Sequence, residues 1–209
     1  MAPTTAPEDI GALWLVVLQR ALGRASHDVK DALNGVSVNL EVIRSSAARP
    51  EVPASAVAPF AEAAGQQLDR LTSLIEAVLA LARAERAPAD VAAILRRVVT
   101  VSQASASSAD AAVELLDSGL MLATHTSVRG DVVRLALMAP LLDLVTGTDR
   151  TQRRTPVRCT ITADEQAVQV RLAADGRRAT MPEGVADILR GAGVRWTDGD
   201  DLSLAFPRT

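Results

Sequence analysis

The chain has 209 residues, 48% of them apolar, which is enough for one large or two small folded units with packed cores. A net charge of −3, a single cysteine (Cys159) and 2% aromatic residues argue against a general nucleic-acid binder, an internal disulfide, a cysteine-built zinc site and an aromatic stacking platform. The early apolar run Leu13 to Leu18 is too short for a bilayer and the leading residues carry no basic flank, so the expectation is a soluble, cytoplasmic protein without a membrane segment.

From about Pro7 to about Ser46 apolar residues recur at helical spacing, with Val29, Leu33, Val36, Leu40 and Ile43 on one stripe. Pro50 and Pro53, close together, end that helix in a turn. The pattern resumes as a heptad seam, Ala61, Ala64, Leu68, Leu71, Ile75, Val78 and Ala82, running to about Glu85 and predicting an antiparallel partner for the first helix. One hairpin cannot cover both stripes, and Leu13, Trp14, Val17 and Leu18 add more apolar surface. Two copies closing a four-helix bundle as a homodimer would cover it; burial against the C-terminal half is the alternative.

Ala87-Pro88-Ala89-Asp90 marks the boundary between residues 1–86 and 87–209, with Asp90 placed to cap a helix from Val91 to about Ser102. Beyond it the sequence predicts strands at Ala111–Leu116 and Leu120–Ala123, then a helix Val132–Val145 opened by Asp131. A hairpin of Val157–Thr162 with Val168–Leu172, a helix near Pro182–Arg190 and a closing strand Leu202–Phe206 follow. The class is α+β, with a helical hairpin ahead of a small α/β sandwich.

The chemistry-bearing segment is Ser26-His27-Asp28-Val29-Lys30-Asp31. At about 3.6 residues per turn His27 projects roughly 160° from the apolar stripe and faces water. Arg20, Arg24, Lys30, Asp31 and Asn34 lie on or beside its face, within one or two turns. Imidazole is a nucleophile when uncharged, and cations beside it offset the charge of an incoming phosphoryl group. His27 is thus the candidate phosphoryl carrier, Asp28 the group that steers or accepts the ring proton, and Lys30, the only lysine, a charge partner with Arg24. His125 lacks metal-ligand spacing around it, the acids Asp198, Asp200 and Asp201 read as a turn, and Trp14 and Trp196 read as packing anchors.

This order of parts resembles the core of bacterial sensor histidine kinases over nearly the whole chain. Ser26-His27-Asp28-Val29-Lys30 is similar to that family's phosphoacceptor box, with Ala32 in place of its proline and Asp31 where many kinases have Thr or Asn. Residues 120–146, the strands ending at Ala174-Asp175-Gly176, and Leu202 to Pro207 resemble its ATP-binding domain. The resemblance also exposes losses. Pro140, Leu141, Leu144 and Val145 stand where the family carries a magnesium-holding asparagine. The adenine-reading element is reduced to Ala174-Asp175-Gly176-Arg177-Arg178, and the glycine-rich lid to Gly191-Ala192-Gly193.

The chain therefore resembles the dimeric histidine phosphotransferases of bacterial phosphorelays, of the ChpT type. That resemblance implies response-regulator receiver domains as partners, a homodimer, a degenerate ATPase-like domain, and no metal, nucleotide or other cofactor. The sequence leaves two other readings open: a non-catalytic dimeric adaptor or pseudokinase that binds response regulators, and a divergent histidine kinase core.

Overall fold

The computed structural model describes residues 7–49, 51–83, 88–104, 113–117, 123–146 and 156–208. Two long helices come first, α1 (Pro7–Ala47) and α2 (Ala54–Ala82), packed as a hairpin. The turn between them carries Pro53, whose extended backbone (φ −69°, ψ 147°) precedes α2. A two-residue strand β1 (Ala89–Asp90) leads into α3 (Val91–Ala104). Then come β2 (Val113–Asp117), β3 (His125–Thr126), α4 (Gly130–Thr146), β4 (Val157–Ala163), β5 (Ala167–Ala174), α5 (Glu183–Gly191), β6 (Arg195–Thr197) and β7 (Asp201–Pro207).

The five-stranded sheet has the order β2-β4-β5-β7-β6, with β2 parallel to β4 and the other neighbours antiparallel. A side-chain period of two sends Val157, Cys159 and Ile161 inward from β4, Val168, Val170 and Leu172 from β5, and Leu202, Leu204 and Phe206 from β7. Register aligns Cys159, Leu172 and Leu202 in one row and Ile161, Val170 and Leu204 in the next. The helices cover this face, and the opposite face carries Arg158, Thr162, Gln169, Arg171 and Ser203 to solvent. The fold is α+β, as the patterning predicts.

The predicted strand at Leu120–Ala123 falls largely outside the described residues, as do the 86/87 boundary and the start of the strand at Ala111. A strand is instead seen at His125–Thr126, paired with Ala89–Asp90. Strand β6 is one the sequence does not predict, because Arg195-Trp196-Thr197 present no apolar alternation; pairing with β7 holds them extended, and Trp196 packs on the core. Asp131 sits within the first turn of α4 rather than ahead of it, bonded to the Val132 amide at 2.9 Å and to the Arg129 guanidinium.

At the open end of the hairpin the apolar surface is covered by the C-terminal half of the same chain, the alternative to burial in a dimer. There Ile10, Trp14, Val17 and Ala21 of α1, with Leu74, Ala77 and Leu81 of α2, join one continuous core with α3, α4 and the sheet. Away from that end, and on the far side, Leu33, Leu40, Leu68, Ile75 and Leu79 remain about half exposed.

Candidate functional site

His27 lies in the middle of α1 and its side chain is exposed. Its surroundings follow from helix phase. Arg20, Asp31 and Asn34 sit seven residues before, four after and seven after it, so they line one face with it. Lys30 borders the same face. All four are exposed. The backbone of Arg24 belongs to α1, but its side chain lies outside the described part of the structure. Val16 and Val38, 55% and 64% exposed, close the two ends of the stripe eleven residues either side of His27.

The two residues flanking the imidazole are already engaged. The Ser26 hydroxyl donates to the Gly23 carbonyl at 2.8 Å. Asp28, turned about 100° from His27 by the helix, points toward α2, where its Oδ2 accepts from Arg70 Nη2 at 2.7 Å. Its carboxylate is therefore held against a guanidinium of α2. Arg20 is also committed: its Nη2 donates to Asp143 Oδ1 of α4 at 2.8 Å, across the hairpin and the sheet layer. Arg70 and Asp143 are the site neighbours that sequence reasoning missed. Asp143 had a visible signal, as the one charge in the otherwise apolar Leu135–Val145; Arg70 had none, because its partner is set by hairpin register.

The equivalent region of the sheet layer is built differently. Every residue of α4 except Asp143 and Thr146 is buried, including Pro140, Leu141, Leu144 and Val145. Its other two charges are used internally: Asp131 by Arg129, and Arg134 by the end of α2. The Asp175-Gly176 turn needs a positive φ at Gly176 (+74°), which glycine takes without strain, and the next residue, Arg177, sends its guanidinium to the Leu144 carbonyl at the end of α4.

Asp90 caps α3, its Oδ1 accepting the amides of Ala92 (3.0 Å) and Ala93 (3.2 Å) and the Thr124 hydroxyl (2.5 Å). Partial burial pushes this carboxyl up, but the hydrogen bonds and the charge of His125 opposite it outweigh that, and the net shift is downward. His125 is thus placed beside a helix cap. Cys159 is fully buried and its thiol is pushed up to about 12 by desolvation, so it is inert as a nucleophile. Among the described residues no cluster of three or more His, Cys, Asp or Glu is arranged to hold a metal ion, and no helix is long and apolar enough to cross a membrane.

No protein-family model matches this chain, and no curated protein matches it. Solved structures similar to it include the histidine kinase domain of a blue-light-activated histidine kinase from Erythrobacter litoralis, at 14% identity and TM-score 0.46, covering 90% of this chain and 94% of that one. Acinetobacter baumannii histidine kinase AdeS matches at 14% identity and TM-score 0.39, over 88% of this chain and 98% of that one. Histidine kinase ThkA, solved in complex with response regulator protein TrrA, matches at 12% identity and TM-score 0.44, over 93% of this chain and 63% of that one.

Proposed function

We propose that the protein is a histidine phosphotransferase of a cytoplasmic bacterial phosphorelay, passing a phosphoryl group between receiver-domain aspartates through His27 without ATP. The observation that carries this reading is the exposed His27, projecting from the polar face of α1 between Arg20 and Asn34. In the first step an imidazole nitrogen attacks the phosphorus of a receiver's aspartyl phosphate. The P–O bond breaks with its electron pair going to the aspartate, an N–P bond forms, and the other ring nitrogen keeps its proton. In the second, the carboxylate of another receiver attacks the same phosphorus and the N–P electron pair returns to the ring. Lys30, with Arg24 one turn before His27, offsets the charge of the transferring group. Asp28, paired with Arg70, orients the segment and, where the ring is protonated before attack, takes that proton to free the nitrogen lone pair.

Residues 87–209 serve as a degenerate ATPase-like domain. A magnesium nucleotide needs oxygen ligands and close backbone amides. The candidate positions on α4 are apolar and buried, and Arg177 bonds the carbonyl at the end of that helix. These residues do not fit the group.

The active form is a homodimer. Leu22, Leu33 and Leu40 of α1 and Leu68, Ile75 and Leu79 of α2 lie, by helix phase, on one side of the hairpin, opposite the sheet layer. No charged residue interrupts the heptad positions Ala61, Leu68, Ile75 and Ala82, and two such faces complete a four-helix bundle with one His27 on each flank.

The test is to phosphorylate receiver domains encoded by the same genome with acetyl phosphate, mix each with the purified protein, and follow the phosphoryl group. Transfer to at least one receiver pair, lost in His27→Ala, is expected. Self-labelling from magnesium ATP would instead identify a divergent kinase core, and a His27→Ala variant with full biological effect would identify an adaptor.

A further inference from the structure

Arg134 is a buried cation in a helix that is otherwise almost wholly apolar. Placing a guanidinium there costs free energy unless its donors are met, and an apolar residue would pack as well, so its partners are informative. Three of them lie on the two helices of the hairpin. Nη1 donates to the carbonyls of Leu81 and, at 2.8 Å, Arg83, in the last turn and C-cap of α2, where a helix leaves carbonyls unpaired and its dipole is negative. The guanidinium carbon stands 4.5 Å from the centroid of the Trp14 ring on α1, and Trp14 is itself buried. One side chain of the sheet layer thus ties together the two open ends of the hairpin.

The second polar tie, Arg20 to Asp143, falls on the same face of α1 as His27, seven residues away or about 10 Å along the helix axis. A partner domain that brings an aspartyl phosphate to His27 therefore meets the end of α4 beside it. We infer that Arg134 is a positioning residue: with Trp14 it latches the sheet layer to the hairpin, so that His27 and the end of α4 form one fixed docking surface for a receiver. This rests on the phosphotransfer reading for its consequence, and on Arg134 and Trp14 alone for its geometry.

The test uses the full chain with spin labels at Gln66→Cys on α2 and Thr162→Cys on β4; Cys159, buried and with its thiol pushed up to about 12, stays unlabelled. With labelled protein diluted in an excess of unlabelled protein, so that only distances within one protomer are read, the expected result is one narrow distribution in the otherwise unmodified protein and in Trp14→Phe, which keeps an aromatic face. Arg134→Met and Trp14→Leu should broaden it. In transfer from a phosphorylated receiver, those two variants should raise KM about tenfold, with kcat and labelling of His27 by phosphoramidate within about twofold of normal. A narrow distribution retained in Arg134→Met overturns the latch, and a broadened one with unchanged KM overturns its positioning role. If Arg134→Met fails to fold, Trp14→Leu against Trp14→Phe decides the question in the same way. Absence of transfer by the unmodified protein overturns the phosphotransfer reading instead, and leaves the latch to stand or fall on the distances.

Discussion

Helices α2 and α4 are both largely apolar, yet α4 buries every residue except Asp143 and Thr146, while α2 leaves Leu68, Ile75 and Leu79 at 49%, 55% and 54% exposure. The difference lies in what each helix has to pack against. Helix α4 has α1, α3, α5 and the sheet around it within the same chain, so its apolar surface is satisfied on all sides. Helix α2 packs one flank on α1 and α3 and, among the described residues, has no element on the other. Large exposed apolar faces on a helix mark a surface that associates. Under the proposed function, the self-sufficient region is the scaffold and the incomplete one the working part.

Leu135 in α4 is fully buried, so Leu135→Ala should cost about 2–5 kcal/mol in chemical denaturation, through lost contacts and the cavity left behind. A loss below about 1 kcal/mol would mean α4 is not the packed element described. The open face of α2 should behave in the opposite way. Leu68→Glu with Ile75→Glu should leave the melting of the separated protomer nearly unchanged but weaken self-association by about a hundredfold or more in sedimentation, because two charges from each protomer would enter the bundle. A monomeric unmodified protein at high concentration would remove the dimer from the account.

Smaller effects belong to polar contacts at the edges of the two regions. Asp90→Ala removes the cap of α3 and should cost about 1 kcal/mol in thermal unfolding. Because the Asp90 carboxyl is held below its ordinary value of 3.8, its contribution is present above that pH and is lost as pH falls further, through the folded-state value. The acid limb of the stability profile, below about pH 4, should therefore flatten in Asp90→Asn. Arg70→Ala breaks an exposed ion pair and should change stability by less than about 1 kcal/mol. Its readout is the rate of phosphoryl transfer, where freeing Asp28 beside His27 should alter the pH profile.

Much of this was legible in the sequence where a single physical signal dominates. Helical spacing located α1 and α2, period-two alternation located β4, β5 and β7, and phase alone put His27 on the outside. The heptad seam of α2 was also legible, but not its division: Ala64 and Leu71 turn inward, Ala61, Leu68, Ile75 and Ala82 outward. Periodicity reports that a face is apolar without saying what covers it. For the same reason the packing of Trp14 and Val17 on the sheet layer could not be separated from packing in a dimer. Of the site, the exposed stripe was visible, but the pairing of Asp28 with Arg70 and of Arg20 with Asp143 was not, since each depends on tertiary register between helices far apart in sequence.

The account's central claim concerns His27, and the most direct measurement is intact-mass analysis of the chain after mixing with a phosphorylated receiver in the absence of ATP, followed by fragmentation to locate the added group. A single phosphoryl group on His27, released to a second unphosphorylated receiver and absent from His27→Ala, is the result predicted. A phosphoryl group carried elsewhere on the chain, or transfer between receivers that persists in His27→Ala, would contradict it.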